Sequence, residues 1–236
     1  MEAEMSQASA VPPPGIPQPR RSVMIYTRYE RFWHWSQAAL IFILAVSGFA
    51  VHGSFTLMDF RTAVLIHSSA AVALIVLWIF TTFWHFTTTA WRHYLPDVRG
   101  LPAVIRFYVW GILVGAPHPY SKTLKRKQNA LQSLAYLSFM VIIGPALWAS
   151  GIIYLAYPLW GQWATGILGL PTVVFVHTAA ADLMMIFVII HIYMTTTGKT
   201  FTHYVKTMIT GYDTIELTPA EAAYLEEEEV SRLAKS

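Results

Sequence analysis

The chain has 236 residues, 55% of them apolar and only 12% charged. A soluble domain carries roughly 25% charged residues, so this balance excludes a disordered chain, a coiled coil and an ordinary soluble enzyme. There is no cysteine, which removes disulfides, thiolate-held iron–sulfur clusters, cysteine zinc sites and Cys-ligated haem, and leaves nine histidines as the candidates for metal chemistry.

Residues 1–27 form a polar arm rich in proline (Pro12, Pro13, Pro14, Pro17, Pro19). It lacks the apolar core of a signal peptide and reads as a disordered or partner-bound cytoplasmic strap. Beyond it, charge disappears in long stretches. No Asp, Glu, Lys or Arg occurs from Phe32 to Met58, from Thr62 to Trp91, from Gln128 to Ala181, or between Asp182 and Lys199. A membrane-spanning helix needs about 20 mostly apolar residues. The third stretch is long enough for two, and the aromatic, proline-containing segment Tyr157–Trp163 divides it. The expected spans are 32–52, 64–90, 130–156 and 172–196. Their runs are continuously apolar, not alternating, so helices are expected in place of a barrel. Pro145 after Gly144 is expected to kink the third span. Leu101–Ala116 is apolar but short, holds Arg106, and reads as an interfacial helix. The expected fold is an all-α integral membrane protein, a four-transmembrane-helix bundle with interfacial helices.

Fifteen of the sixteen Lys and Arg residues fall on the arm, the second-to-third connection or the tail; only Arg61 lies on the opposite side. The positive-inside rule then places both termini in the cytoplasm. In the tail, 213–236, Thr218-Pro219-Ala220-Glu221 reads as a capping box, and Glu226–Glu229 is an acidic run expected to be a solvated helix face.

Six histidines fall in or beside the spans: His34, His52, His67, His85, His177 and His191. Ionisable groups at membrane depth are costly and mark functional sites. The alternating direction of the spans sorts them into two tiers. His34, His85 and His191 belong to the cytoplasmic tier, and His52, His67 and His177 to the external one. His177 and His191 are 14 residues apart. At 100° per residue they share a face, separated by roughly 21 Å along the axis. That spacing suits ligands for two stacked cofactors, not one mononuclear metal, and haem iron accepts imidazole. Depth favours His67 with His177 and His34 with His191, while His85 and His52 compete for the same places. Small residues flank these positions: Ala38, Ala45 and Gly48, then Ala70 and Ala71, then Ala179, Ala180 and Ala181. They would let a flat, bulky group or another helix approach.

Arg31-Phe32-Trp33-His34-Trp35, His67, Lys127-Gln128-Asn129-Ala130-Leu131-Gln132, His177-Thr178-Ala179-Ala180-Ala181 and His191-Ile192-Tyr193-Met194 together resemble the dihaem cytochrome b subunits of membrane-bound respiratory oxidoreductases, namely formate dehydrogenases, nickel–iron hydrogenases and thiosulfate reductases. The likeness covers about residues 28–212. It implies two b-type haems, one held by His67 and His177 near the periplasm and one by His34 and His191 near the cytoplasm. It implies a quinone pocket, for menaquinone or ubiquinone, that includes Asn129. The position of His85 is a non-ligand histidine in some members, and we assign His85 to the quinone side. Arg31 is expected at a haem propionate, since arginine forms bidentate pairs with carboxylates. The chain departs from the family pattern at Gln128, Leu131 and Ser133, and at Asp182, a charge within the fourth span.

The expected function is a membrane-anchor subunit carrying electrons between a periplasmic iron–sulfur or multihaem partner and the quinone pool of the bacterial inner membrane. Quinone and lipid are the other expected partners; nucleic acid is not one. A stand-alone quinol-oxidising cytochrome b and a haem-free His-lined transporter are the alternatives.

Overall fold

A computed structural model of the protein describes residues 20–88, 100–116, 129–161, 169–198, 200–217 and 222–226. Most of the Pro-rich arm, Lys127, Trp163, the Thr218–Glu221 capping box and Glu227–Glu229 of the acidic run lie outside the described residues.

Among the described residues four helices are long and apolar enough to cross a membrane: α1 (Arg28–Val51), α2 (Phe60–Thr87), α4 (Ala130–Leu155) and α6 (Leu170–Thr195). Short elements fill in at the ends: β1 (Arg20–Met24), α3 (Leu101–Val109), α5 (Tyr157–Trp160), α7 (His203–Thr210) and β2 (Tyr212–Glu216). Three of the four long helices start where a side chain satisfies free N–H groups of the first turn; α6 follows Gly169, with Pro171 in its first turn and no side-chain cap. Thr27 and Glu30 close a capping box on α1, with Thr27 N–H donating to Glu30 at 2.7 Å. Asp59 caps α2 by accepting from Thr62 N–H at 3.0 Å. The Asn-x-x-Gln that opens α4 is also a capping box: Gln132 N–H donates to Asn129 Oδ1 at 2.8 Å, and Asn129 N–H to Gln132 Oε1 at 3.1 Å. Asn129→Ala should therefore lower stability by about 1 kcal/mol, while Asn129→Asp keeps the cap, as read from thermal melts in detergent.

Within α4, Phe139–Ile143 forms a π turn, with Gly144 N–H donating to the Phe139 carbonyl. Pro145 has no N–H to return to the previous turn, and the wider turn absorbs that loss. Where a kink is expected at Pro145, the helix carries a π turn that ends at Ile143, two residues before the proline.

Helices α1 and α2 form one antiparallel hairpin, and α4 and α6 form another. Their outer faces carry exposed Phe42, Phe83, Phe175 and Ile189, as lipid-facing helices should. Asp182 is on that exposed face of α6, about 140° from His177. Between the hairpins Trp78 of α2 packs on Phe139 and Trp148 of α4, with centroids 5.3 and 4.5 Å apart, and donates Nε1–H to Gln37 of α1 at 3.2 Å.

The tail is not separate from the arm. β1 and β2 pair antiparallel, from Arg20 opposite Glu216 to Met24 opposite Tyr212. Ile25, Ile215 and Leu217 make a small apolar core beneath this ribbon. Gly211 turns the chain into β2 at φ 90°, and a Cβ there would meet the Tyr26 carbonyl at 2.7 Å. The strap expected over residues 1–27 is therefore corrected at its C-terminal end. Residues 20–24 are a strand bound by the chain's own tail. This ribbon marks what we call the near end of the bundle; the α1–α2 turn marks the far end.

Candidate cofactor site: two tiers of paired histidines

The rings of His67 (α2) and His177 (α6) stand 6.3 Å apart at the far end, 76° between planes. The rings of His34 (α1) and His191 (α6) stand 6.1 Å apart at the near end, 49° between planes. Two imidazoles bound from opposite sides of one metal ion, at about 2.0 Å each and with ring centres about 1.1 Å behind the bonding nitrogen, stand roughly 6 Å apart. Both gaps fit that requirement. Among the described residues no group of three or more His, Cys, Asp or Glu side chains could hold a metal ion. A pair of imidazoles without a third protein ligand suits an ion that brings its remaining ligands with it, as haem iron does.

The far-tier rings press against backbone. Ser47 Oγ lies 3.1 Å from His67 Nδ1, and the Leu44 carbonyl also lies 3.1 Å from it. On the other hairpin Ser150 Oγ lies 3.0 Å from His177 Nδ1, with the Leu147 carbonyl as a second acceptor. A Cβ on Gly48 would stand 3.2 Å from His67 Cε1, and one on Gly151 3.2 Å from His177 Cε1. Glycine at these two positions lets each ring reach the neighbouring helix. Sequence reasoning missed both serines. The signal was present as a repeat: Leu44-Ala45-Val46-Ser47-Gly48 in α1 and Leu147-Trp148-Ala149-Ser150-Gly151 in α4.

The near tier is held differently. His34 Nδ1 is buried and meets no hydrogen-bond partner among the described residues. His191 Nδ1 lies 3.3 Å from the Tyr136 hydroxyl, and Phe187 stacks on the His191 ring at 6.0 Å. Phe187 also stacks on Phe139 at 5.2 Å, which touches Trp78 and through it Trp148. A run of aromatic contacts thus leads from the near tier toward the helix that clasps His177.

The remaining expected residues are placed as follows. His85 is buried on α2, its Nδ1 2.8 Å from the Thr81 carbonyl, edge-on to Trp33 and Trp84. Asn129 is buried, and its amide Nδ2 donates to the Tyr108 hydroxyl at 3.2 Å. The Tyr108 phenol is pushed above its ordinary pKa, chiefly by burial, so it is neutral and able to donate at neutral pH. Arg31, expected at a propionate, donates Nη1–H to the Ile209 carbonyl at the end of α7. The physical reason is the ribbon: it brings the C-terminal end of α7, with its free carbonyls, against the start of α1. His52 ends α1 as its C-cap, outside both pairs. His203 Nε2 lies 3.1 Å from Asp213, away from the spans.

A family model described as prokaryotic cytochrome b561 matches residues 25–211, which contain all four paired histidines. The chain belongs to the prokaryotic cytochrome b561 family. It is also 29% identical over 198 residues, 80% of this chain and 74% of the other, to the Escherichia coli (strain K12) protein named "Putative cytochrome YdhU". As a cytochrome b561-family protein with four apolar helices, it is a multi-pass bacterial membrane protein, and its family implies b-type haem.

Proposed function

We propose that this cytochrome carries electrons through the membrane between a redox partner at the far end and quinone at the near end, through two b haems. His67 and His177 hold one, and His34 and His191 the other. The single observation that supports this most is the pair of ring gaps, 6.3 and 6.1 Å, each sized for one iron between two imidazoles. When bound, haem supplies the reversible one-electron change of its iron. The protein's part is to orient the rings, exclude water and present polar groups where protons are exchanged.

The positive-inside pattern supports a near end in the cytoplasm and a far end in the periplasm. A catalytic or electron-transfer subunit of iron–sulfur or multihaem type would then dock at the far end. Quinone would bind near His191, where the Tyr136 hydroxyl approaches its Nδ1 and where buried Asn129 and half-buried Tyr108 form a hydrogen-bonded pair. His85 lines the same end of α2 and completes the proposed pocket. Arg31 braces α1 against α7 in this reading, and its remaining guanidinium edge is left for a propionate.

The test is a dithionite-reduced minus oxidised spectrum of the purified chain with a pyridine haemochrome count. Two b haems per chain are expected, and a short-chain quinol should reduce at least one of them. A chain grown with ample haem that binds none would overturn the reading.

A further inference from the structure

The far tier is clasped by a device that the electron route above leaves unused. The Leu44 carbonyl can only accept a hydrogen bond, so the His67 nitrogen 3.1 Å away carries the proton. Ser47 donates its own hydroxyl proton to the Ile43 carbonyl at 2.7 Å. Its oxygen lone pairs are thereby free to accept from the same Nδ1–H at 3.1 Å. Ser150 repeats the arrangement: its hydroxyl donates to the Ala146 carbonyl, and its oxygen accepts from His177 Nδ1–H at 3.0 Å. In both rings the proton is fixed on Nδ1, and the Nε2 lone pair is left for a metal ion. Both serines are buried, so no water competes for these bonds.

Resting on the dihaem reading above, we propose that Ser47 and Ser150 are positioning residues that hold the far-tier imidazoles by their Nδ1–H groups and set the reduction potential of the far haem below that of the near haem. An N–H drawn toward two acceptors leaves its ring more basic at the other nitrogen, and a more basic ligand favours ferric over ferrous iron. Each far-tier ring has two such acceptors. The near tier offers less: His34 Nδ1 has no partner among the described residues, and His191 Nδ1 has a single phenol at 3.3 Å, longer than the far-tier contacts. The difference between tiers sets a downhill step for electrons from the far end to the near end.

The experiment is a potentiometric titration of the visible haem bands in the purified full chain. His67→Ala and His34→Ala each leave one haem, which assigns the two potentials; the haem surviving in His34→Ala should be the lower. Ser47→Ala and Ser150→Ala should each raise that lower potential, leave the upper one in place, and shift the low-spin electron paramagnetic resonance signal of the same haem. Both substitutions together should raise it further. Ser47→Thr or Ser150→Thr, which keeps the hydroxyl, should return it toward the native value. A merely structural role would move neither the potential nor the signal while two haems stay bound. Two bound haems with unchanged potentials in both alanine variants, or a far haem that titrates above the near one, would overturn the proposal and leave the dihaem reading standing. A native chain that holds fewer than two haems, or a His67→Ala chain that keeps both, would overturn the dihaem reading itself.

Discussion

Replacing His67 or His177 by alanine should remove the same single haem, and replacing His34 or His191 should remove the other. This expectation follows from the ring pairs, 6.3 Å at the far end and 6.1 Å at the near end. An iron held by two imidazoles loses half its protein ligation when one is deleted. Each single variant should therefore bind one haem in place of two, read from the pyridine haemochrome count. The double variant His67→Ala/His177→Ala should lose no more than either single one. The cross pair His67→Ala/His191→Ala should lose both. A cross pair that keeps one haem would mean that the pairing of rings across the bundle is wrong. His85→Ala serves as the control, because its ring packs on Trp33 and Trp84 of the first hairpin and faces no second histidine in the described pairs.

Gly144→Val should loosen the whole bundle without touching a histidine. A Cβ on Gly144 would stand 2.9 Å from Trp78 Cη2 and 3.1 Å from the Phe139 carbonyl. The indole is not free to retreat. Its Nε1–H is held by Gln37 at 3.2 Å, and its ring lies between Phe139 and Trp148. Overpacking of this kind costs about 1–3 kcal/mol. The apparent melting temperature in detergent should fall by several degrees, and the bound haem should be released at a lower temperature. Trp78→Leu removes the obstructing ring, so Gly144→Val should cost less in that background. Equal cost in both backgrounds would show that Trp78 is not what the new side chain meets.

The four spans were legible in the sequence because membrane depth imposes its requirement locally. About 20 residues without charge is a property of a segment, whatever it packs against. Helix ends were legible only in part. Asn129 and Gln132 stood out as a motif, and the structure shows that the motif caps a helix as well as facing Tyr108. The ribbon between residues 20–24 and 212–216 was not legible. Its two strands are short and far apart in the chain, and neither carries a pattern of its own. The bond from Arg31 to the Ile209 carbonyl was not legible either, because its acceptor lies 178 residues away. The two serines were hidden for a related reason. A serine in an apolar helix is unremarkable until the neighbouring helix places an imidazole against it.

By itself, then, the sequence determined that this is a membrane protein of four helices, with histidines at two depths. Hydropathy and the rise of 1.5 Å per residue are enough for that. Only the tertiary structure decided which rings stand about 6 Å apart, which groups meet the Nδ1 of each far-tier ring, and what closes the near end. Those are matters of approach and direction between segments distant in the chain. A hydrogen bond of about 3 Å depends on which donor meets which acceptor, and no local pattern specifies that meeting. Exchange of glycine for alanine at position 48 or 151 would change hydropathy little, yet its Cβ would stand 3.2 Å from a histidine ring, which would have to give way by a few tenths of an ångström.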